Sequence, residues 1–313
     1  ISETVLKTAK DRDREMSVYL YNRSLYNLGY GLSYQMKYNE AEEHLNKALE
    51  LTNQSLSHSE NKALKIKSMI LKSNILSAIG DIYLDKGYYT IALNNYINAT
   101  EIIDDQVNEK VIEKSSLAQR YFSLGLVHYY LKNYTKSLDY YMLSKDIALE
   151  YNYETGVAKC NNNIAIIKTQ RGNYDEALVF LDSTLVYAEK SGNLLLQAQV
   201  FDNMADCYIA KEEYRKAELY LAKSIIITQK LKNVQGEIFV MLGLADLYTK
   251  TGQFVKALHY AVKASDKSKE IGSISLEKSA YLQLSEIYEK SASFQKSLYY
   301  HKQYKLMEDS LFN

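Results

Sequence analysis

The chain has 313 residues, of which 38 are basic and 38 acidic, so its formal net charge is zero. Without a net charge there is no overall field to attract nucleic acid, and we expect no nucleic acid partner for this region. The longest apolar run, residues 238–245, has eight residues including a glycine, far fewer than the roughly 18 of a membrane span. We therefore expect no membrane span in this chain.

Seven repeats follow one another along the sequence. Each has a small residue, which we call its reference position, an aromatic residue nine positions later and a second small residue twelve positions later. The reference positions are Gly29, Gly80, Gly125, Ala165, Ala205, Ala245 and Ser285. The last four lie 40 residues apart, a period typical of stacked repeats that share one continuous core. The first three lie 51 and 45 residues apart, so we expect insertions at 53–61, as the longest loop, and near 104–109.

Each repeat has the spacing of a pair of helices. Apolar residues recur at intervals of three and four positions, which is the pattern of amphipathic helices. Residues with positive φ favour Gly or Asn and often end a helix. We expect them after the first helices at Gly87, Gly172 and Gly252, and after the second helices at Asn152, Gly192, Gly272 and either Lys232 or Asn233.

This pattern resembles the tetratricopeptide repeat. The resemblance is carried by Leu28, Gly29, Tyr38, Ala41, Leu45 and Ala48 in the first repeat, and by Ile79, Gly80, Tyr83, Tyr89, Ala92, Tyr96 and Ala99 in the second. A period of 40 rather than the family's usual 34 implies longer helices, and the proline that often closes a repeat is missing. The resemblance implies an all-α fold, a right-handed α-solenoid superhelix of seven antiparallel helix pairs in a single domain, 1–313. The expected repeats are 11–54, 62–106, 109–152, 154–191, 194–231, 234–271 and 274–312.

The sequence shows no motif for catalysis or for a bound cofactor. Its 12 glycines follow the repeats rather than a phosphate-binding loop, and its histidines lack partners at metal-ligand spacing. His128 replaces Tyr83 in its column, so we expect it in the core. Cys160 and Cys207 are offset by about 10 Å along neighbouring helices, too far for a disulfide, and we expect two buried free thiols. We therefore predict a non-enzymatic protein without cofactor or metal.

The resemblance also implies a binding groove, because first helices line the concave face in this family. Residues three before, one after and four after the reference position share that face. The candidate groove residues, taken from these columns or beside them, are Tyr26, Tyr30, Phe122, Tyr129, Tyr130, Asn162, Asn163, Asp202, Asn203, Asp206, Asp246 and Glu286. Tyrosines offer rigid contact area, Asn amides bond to a peptide main chain and carboxylates attract Lys or Arg. We therefore expect a protein or peptide ligand, with a basic ligand as one option.

Some of these positions have a simpler interpretation. Acidic residues just after the reference position are common in this repeat because the position is exposed, and Asn163 and Asn203 match a frequent family preference. One class of ligand is excluded more firmly. Family members that bind chaperone tails use a clamp of Lys, Asn and Arg at these columns, and Tyr26, Tyr30, Ser77 and Asp81 do not resemble it.

The last helix resembles the closing helix of tetratricopeptide sensor regions in bacterial two-component kinases and helix-turn-helix transcription regulators. The residues concerned are Tyr299, Tyr300, His301, Lys302, Gln303, Tyr304, Lys305, Glu308, Asp309, Ser310 and Leu311. This implies the ligand-sensing or interaction region of a larger bacterial signal-transduction protein, periplasmic if a membrane span follows. The first residue, Ile1, is not methionine, so we expect an N-terminal segment to have been removed. The alternative is a free-standing adaptor or peptide receptor in the cytoplasm, and homodimerisation is left open.

Overall fold

The computed structural model describes residues 2–108 and 112–312, and within these ranges it contains fourteen α-helices, one short 3₁₀ turn and no strand. The chain divides into two compact halves, Ile1–Tyr151 and Asn152–Asn313. In the N-terminal half the helices are α1 (Ser2–Tyr34), α2 (Tyr38–His58), α3 (Lys62–Asp85), α4 (Tyr89–Asn108), α5 (Ala118–Tyr130) and α6 (Tyr134–Glu150). In the C-terminal half they are α7 (Glu154–Gln170), α8 (Tyr174–Lys190), α9 (Leu194–Ala210), α10 (Tyr214–Lys230), α11 (Val234–Lys250), α12 (Phe254–Glu270), α13 (Ile274–Lys290) and α14 (Phe294–Phe312).

The predicted all-α fold is confirmed, and each predicted repeat is one pair of packed helices. The odd-numbered helix is the first of its pair, and the even-numbered helix packs against it. Second helices also pack on the next first helix within each half, as α8 does on α9 and α2 does on α3. The single domain over 1–313 stays a prediction.

The predicted long loop at 53–61 is wrong. Helix α2 continues to His58, and only residues 59–61 connect it to α3. The stretch contains neither glycine nor proline, so nothing in it interrupts a helix. Asn61 then caps α3 by accepting hydrogen bonds from Ala63 N and Leu64 N. The second insertion likewise extends α4 to Asn108, while Glu109 lies outside the described residues.

The small reference residues make room for a bulky side chain sixteen positions later. A Cβ atom on Gly80 would lie 2.7 Å from Tyr96 Cε1, and one on Gly125 would lie 2.7 Å from Tyr141 Cδ1. Both tyrosines are fully buried. In the fifth repeat the later residue is the smaller Leu221, and the reference residue is Ala205 rather than glycine. The contact between the two helices of a repeat is therefore filled to similar density by a glycine opposite a tyrosine or by an alanine opposite a leucine.

Stacked rings join the two helices of several repeats. Four ring pairs share the same columns, with centroids 5.5 to 5.8 Å apart and nearly parallel planes: His128 with Tyr140, Tyr208 with Tyr220, Tyr248 with Tyr260, and Tyr288 with Tyr300. His128 is buried, so its predicted place in the core is confirmed. Burial lowers the pKa of His128, and the nearby Lys136 charge adds to this effect.

The turns between helices contain residues with positive φ, as predicted. The predicted Gly87, Gly172 and Gly252 have positive φ after first helices, and Asn152, Gly192, Lys232 and Gly272 have it after second helices. Four residues that were not predicted, Met36, Lys132, Glu212 and Ala292, also have positive φ after first helices. Lys232 itself has a φ of 52°, so the alternative Asn233 is wrong. Asn233 instead caps α11 by accepting a hydrogen bond from Gly236 N at 3.1 Å. An N-cap requires a negative φ, so Asn233 cannot also serve as the left-handed residue.

Opposite substitutions at one turn column should change stability in opposite directions. Gly252 and Ala292 both follow a first helix, with φ of 73° and 58°. A residue other than glycine at a positive φ lowers the free energy of unfolding by about 1 kcal/mol relative to glycine. We expect Gly252→Ala to lower the free energy of unfolding by about 1 kcal/mol and Ala292→Gly to raise it by up to about 1 kcal/mol, measured by urea denaturation. Changes of the same sign in both variants would contradict this.

Candidate ligand-binding surface

Successive first helices pack on one another in each half. Helices α1, α3 and α5 do so in the N-terminal half, and α7, α9, α11 and α13 in the C-terminal half. We call the side of each half that these odd-numbered helices form the first-helix surface. Residues three before, one after and four after each reference position share one face of their helix, and the predicted groove residues lie in these columns or beside them.

The aromatic candidates of the N-terminal half form two groups. Tyr26 and Tyr30 stack with ring centroids 5.7 Å apart, and the Tyr30 hydroxyl shares a hydrogen bond of 2.8 Å with the Tyr34 hydroxyl. Burial raises the pKa of Tyr26 and of Tyr30. Tyr129 and Tyr130 form the second group, with ring centroids 5.5 Å apart.

The members of the second group differ in how they are held. Tyr130 is 40% exposed and stacks on Tyr89 at 5.3 Å, and burial of its hydroxyl end raises its pKa. Tyr129 also contacts the ring of Tyr134. Phe122 packs against the buried ring of Tyr141 at 5.4 Å, so part of its surface belongs to the helix contact rather than to a ligand.

A polar cluster beside Tyr26 was missed by the sequence analysis. Arg120 Nη1 donates to Ser77 Oγ at 2.8 Å, and Arg120 Nη2 donates to Asn74 Oδ1. The Tyr96 hydroxyl donates to Asp81 Oδ1 at 2.6 Å. Burial raises the pKa of Asp81 to about 6, against the opposing effect of the Tyr96 hydrogen bond. Arg120 and Asp81 are both close enough to Tyr26 to affect its pKa.

A sequence signal for Arg120 existed. Arg120 lies five positions before its reference position, where the later repeats have Cys160, Val200, Val240 and Ala280. All four of those side chains are buried. A charged residue in an otherwise buried column indicates a special environment, but the groove columns alone do not include it.

The predicted asparagines bond mainly to the protein itself. Asn203 Nδ2 donates to Asn162 Oδ1 at 2.9 Å, joining α9 to α7. Asn163 Nδ2 donates to the carbonyl oxygen of Lys159 in its own helix at 2.9 Å. Asn162 is buried, whereas Asn163 and Asn203 are half-buried. The Asn203–Asn162 bond therefore links two neighbouring first helices, whereas Asn163 bonds within its own helix.

The predicted carboxylates form a row on consecutive first helices of the C-terminal half. Asp206, Asp246 and Glu286 each follow the reference position, on α9, α11 and α13. The protein surrounding Asp206 raises its pKa to about 7, although solvent still reaches the side chain, and the Asp246 charge adds to the rise. Burial also raises the pKa of Asp246, against the opposing charges of Lys250 and Lys290, and the Glu286 charge adds to the rise. Glu286 itself forms an ion pair with Lys290 at 3.2 Å. Like charges thus approach one another where water is partly excluded.

Asp202 lies one turn before Asp206 and is more enclosed. Burial raises the pKa of Asp202 to about 8, and the Asp206 charge adds to the rise although a hydrogen bond with Ser224 opposes it. Its Oδ1 atom is buried without a hydrogen-bond partner. We therefore take Asp206, Asp246 and Glu286 as the accessible carboxylate row.

The raised pKa of Asp206 predicts that Asp206→Asn stabilises the protein in a pH-dependent way. The unfolded chain loses this proton near pH 4, but the folded chain holds it up to about pH 7. The stability that the protonated carboxyl contributes is therefore lost as the pH rises between these values. Because water screens the exposed Asp206 side chain, we expect the melting temperature of Asp206→Asn to exceed that of the wild type by only about 1 to 3 °C at pH 8, with the difference shrinking toward pH 4. A difference that does not vary with pH would contradict the assignment.

In the part of the chain that the structure describes, no three metal-ligating side chains come together. Cys160 and Cys207 are buried and form no disulfide with each other, as predicted. None of the helices within 2–108 and 112–312 combines the length and apolar character needed to cross a bilayer.

Paired helices that recur along the chain, with successive first helices packed on one another, define a helical-repeat protein. Residues 156–230 and residues 23–55 each match a family model described as tetratricopeptide repeat. These two stretches are tetratricopeptide repeats. Comparison with curated protein sequences gives no match.

Several solved structures share this fold at low sequence identity. Aspartyl phosphate phosphatase F from Bacillus subtilis is 17% identical, with a TM-score of 0.70 over 98% of this chain and 75% of that one. The Rap conjugation gene regulator of plasmid pLS20, in complex with the Phr* peptide, is 15% identical, with a TM-score of 0.64 over 93% and 96%. NprR in complex with its cognate peptide NprX is 16% identical, with a TM-score of 0.61 over 88% and 72%.

Proposed function

We propose that this chain binds a peptide, or an extended segment of a partner protein, on its first-helix surface. The observation that carries the proposal is the carboxylate row of Asp206, Asp246 and Glu286 on three consecutive first helices. Burial raises the pKa values of Asp206 and Asp246, and the charges of Asp246 and Glu286, respectively, add to the rise, so charging these groups in the folded protein opposes folding. Residues that cost stability without supporting the fold are typical of functional sites.

The chemistry of the row favours a basic ligand. Lysine or arginine side chains of a bound peptide would lie between the carboxylates and relieve their mutual repulsion. Neighbouring first helices are about 10 Å apart, and an extended peptide advances about 6.6 Å for every two residues. Basic residues two to three positions apart would therefore match successive carboxylates of the row.

Two of the similar structures support a peptide as the ligand, because they contain Phr* and NprX. One similar protein is named as a phosphatase, but the present proposal assigns binding and no catalysis to this chain. We further propose that the chain is the recognition region of a larger bacterial signal-transduction protein, such as a sensor kinase or a transcription regulator. A free-standing adaptor is the alternative, and compartment and dimerisation stay predictions.

A peptide selection tests the proposal. Wild-type protein is incubated with a random library of acetylated, amidated decapeptides, and the retained peptides are separated by size exclusion and sequenced by mass spectrometry. We expect enrichment of lysine and arginine at least several-fold over the input library. Retention of no peptides, or of peptides without basic enrichment, would contradict the proposed ligand.

A further inference from the structure

The side chain of Arg120 brings a positive charge into a column that is buried in five of the other six repeats, the first repeat having the exposed Ser24 there. The equivalent residues of five other repeats are Ile75, Cys160, Val200, Val240 and Ala280, each at most 1% exposed. Arg120 is half-buried and lies at the start of α5, against α3 on the first-helix surface of the N-terminal half. A charge is rarely placed in such a column unless something compensates it.

The described partners of Arg120 do not compensate its charge. Its two hydrogen-bond acceptors, Ser77 Oγ and Asn74 Oδ1, are neutral. Its Nε atom is buried and has no hydrogen-bond partner. None of the ion pairs among the described residues includes Arg120. The Asp81 carboxylate attracts it electrostatically, but Asp81 Oδ1 accepts its hydrogen bond from Tyr96.

The hydrogen bonds that Arg120 does make fix its orientation. Two acceptors from α3 each engage one Nη atom, so the plane of the guanidinium is held while each Nη retains a second N–H. The stacked pair of Tyr26 and Tyr30 lies beside it and feels its charge through Tyr26. A planar guanidinium held in this way suits a carboxylate, which accepts two parallel hydrogen bonds from it.

We infer that Arg120 forms a carboxylate subsite on the first-helix surface of the N-terminal half, bordered by Tyr26, Asn74 and Ser77. This inference rests on the proposed peptide-binding function and names a second feature of the ligand. The carboxylate is either the C-terminal group of the peptide or an aspartate or glutamate side chain, because both present the same two oxygens. A peptide bound at this subsite would therefore carry an acidic group.

Three forms of one decapeptide library distinguish the two sources of the carboxylate. The first form lacks Asp and Glu and ends in an amide, the second lacks them but ends in a free carboxylate, and the third ends in an amide but contains Asp and Glu. We expect the wild type to retain peptides of the second or the third form at least tenfold better than those of the first. Preference for the second form identifies a C-terminal carboxylate, and preference for the third identifies an acidic side chain.

Arg120→Met removes the charge while keeping a long side chain. This variant should no longer retain the carboxylate-containing peptides better than the first form of the library. Arg215→Met provides the matched control, because Arg215 is an exposed arginine of α10, and it should keep the preference. Arg120→Lys keeps the charge without the planar fork and should retain only part of the preference. Because Arg120→Met also removes the hydrogen bonds to Ser77 and Asn74, circular dichroism and thermal melts establish that each variant is folded before retention is compared.

A direct readout does not depend on peptide retention. Sodium acetate at 100 mM should raise the melting temperature of the wild type, relative to sodium chloride at equal ionic strength, but not that of Arg120→Met. Stabilisation by acetate without retention of any library peptide would leave the subsite standing and overturn the peptide-binding proposal. Equal retention of all three forms, or an Arg120→Met variant that melts lower yet keeps the preference, would overturn the subsite and give Arg120 a structural role.

Discussion

Replacing Ala217 with leucine should lower the free energy of unfolding by about 1 to 3 kcal/mol. Ala217 has no exposed surface and packs in a cluster with Ala205, Ile209, Leu221 and Val240. Three additional carbon atoms cannot fit into this contact between α9, α10 and α11 unless the helices move apart or side chains leave their preferred rotamers. Urea denaturation followed by circular dichroism measures the effect.

The neighbouring Ala222 provides a matched control, because it lies on the exposed side of the same helix. Ala222→Leu makes the same chemical change without entering the core, so we expect a change within about 0.5 kcal/mol. If Ala217→Leu proved as stable as Ala222→Leu, the second small residue of the repeat would not be a packing constraint.

Reversing two charges of the carboxylate row should abolish selection of basic peptides. In the double variant Asp206→Lys with Asp246→Lys, lysine or arginine side chains of a ligand meet like charges instead of carboxylates. Like charges placed together cost several kcal/mol, and each 1.4 kcal/mol is a tenfold change in affinity. We expect retention of basic peptides to fall at least tenfold, measured by fluorescence anisotropy with a peptide selected by the wild type.

The control for this variant changes the same total charge elsewhere. Asp182 on α8 and Asp266 on α12 are exposed carboxylates of second helices, and Asp182→Lys with Asp266→Lys should leave affinity within about twofold. Circular dichroism and thermal melts establish that both double variants are folded. Equal loss of affinity in the two variants would mean that overall charge, rather than the carboxylate row, attracts the peptide.

The features of the fold that depend on local spacing could be predicted from the sequence. Helices often end at residues with positive φ, so Gly172 and Gly252 correctly predicted the ends of two helices. The stretch at 53–61 was mistaken for a loop because its polar residues have no periodicity. Helix α2 continues to His58 because no Gly or Pro interrupts it, and α3 begins after its capping residue Asn61. Both signals carry less weight in a sequence than hydrophobic periodicity.

The candidate site was less predictable, because it depends on contacts between repeats. The columns led to Asp206 and Asp246 but not to Arg120, whose partners Asn74 and Ser77 lie more than 40 residues earlier. Similarly, the bond from Asn203 to Asn162 spans 41 residues and uses groups that were expected to face a ligand. A column identifies which residues share a face, but their hydrogen-bond partners follow only from the packed structure.

Site-specific photo-cross-linking tests the central claim most directly. A benzophenone amino acid replaces Leu282, which is 44% exposed on the first-helix surface three positions before its reference position, or Val186, which is 66% exposed on the second helix α8. With a peptide selected by the wild type, we expect a cross-linked product from position 282 and none from position 186. Cross-linking from position 186 but not from 282 would contradict binding at the first-helix surface and place the peptide on the second helices.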